Sequence, residues 1–86
     1  MENKVLINLI VPELDSDFDV FIPVNEQVWK IKKLLLKSVS DLSTISLDMN
    51  RDYILLNKNS DIIYKNNEII INTDIRNGSE LILISR

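Results

Sequence analysis

The residue types that this 86-residue sequence lacks say most about its chemistry. It contains no cysteine, which excludes disulfides, zinc–thiolate sites and cysteine nucleophiles. It contains no histidine, the commonest general base and the commonest metal ligand. Catalysis would have to depend on Asp, Glu, Lys, Tyr or Ser alone. The sequence therefore predicts a protein that is not an enzyme and that holds no cofactor and no metal.

Long apolar runs are also missing. The N-terminal run KVLINLIV is too short for a membrane span, and no small-residue cleavage site follows it. The net charge of −3 argues against nucleic acid as a partner. The length fits one small domain, residues 1–86, with a modest core. We expect a cytoplasmic domain without membrane insertion.

Alternating apolar residues predict five β-strands. They lie in the segments KVLINLIVP (4–12), DFDVFIP (17–23), DYILLNK (52–58), DIIYKNN (61–67) and ELILIS (80–85). The first two should form an antiparallel hairpin, with Phe18, Val20 and Ile22 facing inward. A turn at RNGS should precede the last strand, with Gly78, the only glycine, supplying a positive φ.

One helix is predicted over residues 26–42, with Asn25 as its N-cap. Its core stripe has apolar residues at spacings of three and four, namely Val28, Ile31, Leu35, Val39 and Leu42. The element order is β-β-α-β-β-β. It predicts an α+β fold in which the helix packs on one face of a mixed sheet of four to five strands. The other face of the sheet is expected to be open.

That element order is the order of the β-grasp, or ubiquitin-like, fold. The end of the chain resembles ubiquitin-like domains at Ile75, Gly78, Ser79 and Leu81. The longer stretch LLNKNSDIIYKNNEIIINTDIRNGSELILI resembles the YukD/EsaB family. Those are small cytosolic ubiquitin-like proteins associated with the type VII (WXG-type) secretion systems of Gram-positive bacteria. The resemblance implies a non-catalytic accessory or regulatory protein that binds other proteins, among them components of the secretion machinery.

The end of the sequence differs from that of conjugated modifiers and sulfur carriers. Those proteins end in an exposed Gly-Gly, whereas this sequence ends in LILISR, with Arg86 last. If the sequence is the natural full length, we expect no conjugation. A native chain that extends further would restore the alternative of a ubiquitin-like modifier or sulfur carrier.

Four acidic residues near the predicted hairpin are spaced like the ligands of an EF-hand calcium loop. They are Asp15, Asp17, Asp19 and Glu26. However, Val20 stands where such a loop needs glycine, and the alternating apolar residues indicate an extended chain, which cannot wrap around an ion. We therefore expect a solvated acidic hairpin instead of a calcium site.

Two surfaces are candidates for protein binding. With Ile54, Leu56, Leu81 and Leu83 facing the helix, the open sheet face would carry Leu6, Ile10, Tyr53, Leu55, Ile82 and Ile84. This face would bind a partner protein, or a second copy of the chain if the domain is a self-associating structural unit.

The second candidate surface lies on the helix. Trp29 and Leu36 fall together on one flank of the core stripe, among lysines, and would form a ridge. Tryptophan beside lysine stems is typical of binding hot spots. Alternatively, the loop 43–50 covers this ridge through Ile45, Leu47 and Met49.

Overall fold

The structure is a computed structural model that describes residues 3–44 and 47–86. Its elements in chain order are β1 (Lys4–Val11), β2 (Ser16–Pro23), α1 (Val28–Leu42), β3 (Tyr53–Asn57) and β4 (Glu80–Ser85), with short 3₁₀ turns at Pro12–Leu14 and Ile70–Asn72. Within the described ranges the strands form one four-stranded sheet in the order β2-β1-β4-β3. The central pair β1 and β4 is parallel, and the outer pairs are antiparallel. The predicted mixed sheet with one helix is confirmed.

The core lies between the helix and one face of the sheet. Four of the five predicted stripe residues of α1 are fully buried, namely Val28, Ile31, Leu35 and Val39. The prediction for Leu42 is wrong, because this last helical residue is 63% exposed. In the hairpin, Val20 and Ile22 are buried and Phe18 packs partly buried against the core, as predicted.

The helix begins later than predicted and without the predicted cap. It starts at Val28 after Gln27, whose side chain makes no capping hydrogen bond. The first turn is capped by a distant segment instead: Val28 N–H donates to the Glu68 carbonyl at 2.8 Å, and Trp29 N–H donates to the Asn66 carbonyl at 3.2 Å. These carbonyls satisfy donors that otherwise need a side-chain cap. The prediction of Asn25 as the N-cap is therefore wrong, and its side chain is exposed.

The fourth predicted strand, in DIIYKNN, is reduced to one β-bridge between Ile63 and Leu56 on β3. The chain turns sharply before it. The Asn57 side-chain oxygen accepts from the Asn59 N–H at 2.9 Å and from the Ser60 N–H at 3.3 Å. Asp61 then adopts a positive φ of 58°. Such local side-chain to backbone bonds compete with strand pairing, so only a bridge remains.

The turn before β4 is confirmed. Gly78 has φ 87°, and its N–H donates to the Leu6 carbonyl at 2.8 Å. The Leu6 N–H in turn donates to the side-chain oxygen of Asn77 at 2.8 Å. Beyond Gly78 there is free space where a side chain would begin, so backbone conformation alone requires glycine here. The turn thus ties the start of β1 to the start of β4.

Candidate protein-binding surfaces

The sheet face that points away from the helix carries a continuous apolar row. Strand pairing places Ile10 beside Ile82, Ile82 beside Leu56, and Leu56 beside Ile63. Ile54 and Ile84 form a second pair next to this row. We call these six residues the outer patch: Ile10, Ile54, Leu56, Ile63, Ile82 and Ile84. Ile63 is exposed and the other five are half-buried. Among the described residues no helix packs on this face.

A polar row borders the outer patch on the same face. Pairing aligns Asp19, Asn8 and Glu80 across β2, β1 and β4. The Asn8 amide donates to Asp17 at 2.8 Å and to Asp19 at 3.1 Å. Beyond the polar row, Leu6 pairs with the exposed Phe21 as a smaller apolar pair. The open face therefore has an acidic middle, with the outer patch on one side of it and the smaller Leu6–Phe21 pair on the other.

The predicted site residues divide between the two sheet faces. Leu6, Ile10, Ile82 and Ile84 lie on the open face as predicted. These four residues are candidates for protein binding.

The prediction for β3 is wrong by one residue. Tyr53 and Leu55 are buried under the helix, and Ile54 and Leu56 take the outer positions. The segment YILLN is apolar in both phases, so alternation could not fix its orientation. Asn57 does not fix it either, because this polar residue shares the phase of Tyr53 and Leu55 and is itself buried.

A polar cluster around the buried Asn57 and Tyr64, which the sequence patterns did not predict, lies at the end of the outer patch. The Tyr64 hydroxyl donates to Asp74 and accepts from the Asn57 amide at 3.1 Å. The Ser60 hydroxyl donates to the second Asp74 oxygen at 3.2 Å. Burial, and then the hydrogen bond to Asp74, raise the pKa of Tyr64 above its usual value. The cluster keeps Tyr64 in the core and so presents its neighbour Ile63 on the outside.

The predicted ridge on the helix is only half correct. Leu36 is 4% exposed and belongs to the core, together with Leu47 and Tyr53. Trp29 is 39% exposed. Of the loop residues proposed to cover the ridge, Leu47 is buried and Met49 is exposed, while Ile45 lies outside the described residues. The structure thus separates the pair into a core leucine and a surface tryptophan.

The acids that were tested against a calcium loop do not surround a common point. Asp17 and Asp19 lie on β2 and accept hydrogen bonds from Asn8. Glu26 pairs with Lys30 at 3.4 Å instead. Over residues 3–44 and 47–86, no group of three or more acidic side chains is arranged to hold a metal ion. In the same ranges no helix is both long and apolar enough to cross a membrane.

Comparison with solved structures defines the class of the domain, which is a ubiquitin-like β-grasp. The N-terminal ubiquitin-like domain of the 4931431F19Rik protein is 18% identical with a TM-score of 0.74, over 98% of this chain and 76% of that one. The ubiquitin of Caldiarchaeum subterraneum is 15% identical with a TM-score of 0.71, over 96% and 94%.

A third similar structure is a chain of an ESX-5 inner membrane complex that is free of MycP5. It is 13% identical with a TM-score of 0.71, and the match covers 98% of this chain but 21% of that one. The sequence matches no protein-family model and no curated protein. At these identities the likeness shows the fold.

Proposed function

We propose that this domain is a non-catalytic protein-binding module that docks through the outer patch. We further propose that it acts in the cytoplasm as an accessory or regulatory component of a Gram-positive type VII secretion system. The observation that carries the binding function is the row Ile10, Ile82, Leu56 and Ile63, which crosses the sheet on its uncovered face. Contiguous apolar surface of this kind is usually an interaction site.

Two features of the outer patch support docking of another protein. Its side chains stand on paired strands, so their positions are fixed before a partner arrives and little ordering entropy is lost. The polar row through Asn8, Asp19 and Glu80 borders it on one side, as polar rims border apolar interface centres. An apolar centre with a polar rim is the arrangement found in protein interfaces.

The secretion role rests on the resemblance of residues 55–84 to the YukD/EsaB family. Within that stretch, Ile75 and Leu81 are buried and Gly78 has a positive φ, so these residues serve the fold. A chain of the ESX-5 inner membrane complex shares this fold, which is compatible with a place beside membrane machinery. The non-catalytic part of the proposal is supported by the absence of histidine and cysteine from the sequence.

Ile82→Asp is the variant that tests docking, because it places a charge at the centre of the row. Ile71→Asp is the matched control, since Ile71 is an exposed isoleucine outside the outer patch. Wild-type protein and both variants would be immobilised and mixed with purified cytoplasmic domains of a type VII secretion apparatus. We expect retention by wild type and Ile71→Asp, and at least tenfold weaker retention by folded Ile82→Asp.

Two results would contradict the proposal. Retention of no secretion component by wild type would remove the secretion role. Equal retention by Ile82→Asp and Ile71→Asp would remove the outer patch as the docking surface. Circular dichroism of each variant shows whether the fold is intact, and unfolding of Ile82→Asp would mean that its side chain is needed in the core.

Self-association is the second candidate function, and the same uncovered row favours it. Two outer patches facing each other would bury both apolar rows in an isologous dimer. Light scattering over a dilution series distinguishes the candidates. A wild-type dimer that becomes a monomer in Ile82→Asp supports self-pairing. A monomer in both leaves the outer patch free for a different protein.

A further inference from the structure

A small pocket lies beside the N-terminal half of α1, on the opposite side of the sheet from the outer patch. It encloses about 160 Å³, and it lies between the helix and the segment that leads into β3. Its lining includes Trp29, Lys33, Leu36, Met49, Arg51 and Tyr53. Sites for whole small molecules usually enclose about 300–1,000 Å³. This pocket is the size for a single side chain.

The floor and one wall of the pocket are apolar. Leu36 and Tyr53 are buried beneath it, while Met49 is 50% exposed at its mouth. Trp29 forms a wall that is already held in place. Its ring N–H donates to the Gln27 side-chain oxygen at 2.8 Å, and the Lys33 ammonium lies 5.4 Å from the ring centroid. A ligand would therefore meet an ordered aromatic surface.

The rim of the pocket is positively charged, although the chain as a whole carries −3. Lys32, Lys33 and Arg51 line it, and the acid among the lining residues is Asp52. Asp52 is already paired with Arg86 at 3.3 Å. Lys33 has no carboxylate partner within ion-pair distance among the described residues. Arg51 is paired with Glu13 at 4.0 Å. Lys32 and Lys33 are thus the lining cations that form no ion pair within the described residues.

Lys32 is a partly buried lysine at this rim, and burial destabilises its charged form, to which no carboxylate of the described residues is bound. Its ammonium donates to the Asn66 side-chain oxygen at 2.8 Å, which is a neutral acceptor. Burial lowers the pKa of Lys32, and the charge of Asp52 offsets this only in part. A carboxylate arriving at the rim would stabilise the charged form of Lys32.

We propose that this pocket binds an acidic segment of a partner protein. One apolar side chain of the segment enters between Trp29 and Met49, and flanking carboxylates pair with Lys32 and Lys33. Charge complementarity selects this occupant, since a basic rim inside an acidic protein attracts carboxylates locally. A nucleic acid is disfavoured because its phosphates would also meet the acidic remainder of the domain. The pocket is separate from the outer patch and does not depend on it.

Trp29 is the only tryptophan, so its fluorescence reports directly on the pocket. Wild-type protein would be titrated with the peptide EDLFEELE and with its basic counterpart KKLFKKLK. We expect saturable changes in Trp29 emission with the acidic peptide, weakened by added salt, and at least tenfold weaker binding of the basic one. Oligothymidylate tests the nucleic-acid alternative.

Lys33→Glu and Lys37→Glu form a matched pair of variants. Both reverse one exposed lysine charge on the same helix, but Lys37 does not line the pocket. We expect Lys33→Glu to weaken acidic-peptide binding at least tenfold and Lys37→Glu less than threefold. Ile82→Asp should leave this binding unchanged, so failure here is distinguishable from failure of docking at the outer patch.

Four results would overturn the proposal. They are an absence of any Trp29 response to the acidic peptide, equal binding of the basic peptide, equal losses in Lys33→Glu and Lys37→Glu, and tighter binding of oligothymidylate than of the acidic peptide. Each of these contradicts either the pocket as the site or the acidic segment as its occupant.

Discussion

The two faces of the sheet are built from the same strands and nearly the same residue types. The helix buries the inner face, whereas no helix packs on the outer face within the described residues. Leucines on the inner face are fully buried, as Leu55, Leu81 and Leu83 show. Their chain neighbours on the outer face, Leu56 and Ile82, are only half-buried. One step along a strand therefore separates a residue whose burial stabilises the fold from one that remains available to a partner.

This contrast shows why hydrophobic character alone does not locate a binding surface in a small domain. Over residues 3–44 and 47–86 a single α-helix covers the sheet, on one face, and the second face stays open. The isoleucines and leucines placed there form the outer patch, which is the proposed docking surface. The same placement creates a risk of self-association, which the acidic row through Asp19 and Glu80 limits at one side.

Leu81→Ala and Ile82→Ala test the contrast with the largest expected effect. Leu81 is fully buried, so its truncation should cost about 2–5 kcal/mol of unfolding free energy through lost burial and the cavity left behind. Ile82 is half-buried, and its truncation should cost about 1 kcal/mol or less. Urea unfolding of both variants beside wild type measures the difference. Equal losses would mean that the outer face is covered as well as the inner one.

The inward faces of the hairpin and of the helix could be predicted because, in each segment, only one orientation buries the apolar residues and leaves the charged residues in water. DFDVFIP places Asp17 and Asp19 in one phase and the apolar Phe18, Val20 and Ile22 in the other, so Val20 and Ile22 had to face the core. The helix stripe from Val28 to Val39 follows the helical period in the same way. In both segments a wrong phase would bury charges, and burial of unpaired charge is costly.

Other features depend on distant parts of the chain and could not be predicted. YILLN is apolar in both phases, so the positions of Tyr53 and Leu55 depended on how β3 pairs with β4. The start of the helix depended on carbonyls of Asn66 and Glu68, about forty residues away. The burial of Leu36 required knowledge of where Leu47 and Tyr53 lie. No local pattern carries this information.

Tyr64→Phe tests whether buried polar bonds also hold the inner face. The phenol donates to the Asp74 carboxylate and accepts from the buried Asn57 amide, so its loss removes a bond to a charged group and leaves a buried amide without this partner. We expect a loss of about 1.5–3 kcal/mol, as for hydrogen bonds to charged groups. Tyr53→Phe is the matched control, because the Tyr53 hydroxyl donates to one backbone carbonyl, that of Asp48, at 3.0 Å. It should cost about 0.5–1.5 kcal/mol.

The pH dependence gives this comparison a second measurement. The pKa of Tyr64 is raised above its usual 10.0 in the folded state, so folding favours the neutral phenol. That contribution to stability is complete below pH 10 and is lost as the pH rises through the folded pKa. The decline of unfolding free energy above about pH 10 should therefore be shallower in Tyr64→Phe than in wild type. An unchanged decline would contradict the buried cluster.

Ser40→Ala should have the smallest effect and the opposite sign. Asn57 and Ser40 both carry buried polar atoms, but Asn57 is hydrogen-bonded, whereas the Ser40 hydroxyl has no partner among the described residues. Removing an unsatisfied hydroxyl recovers its desolvation penalty, and alanine is the better helix former. We expect unfolding free energy to rise by up to about 1 kcal/mol. If Ser40→Ala instead lowers the unfolding free energy by more than about 1 kcal/mol, the Ser40 hydroxyl makes a hydrogen bond in the folded state. Ser40 would then be a satisfied polar group like Asn57.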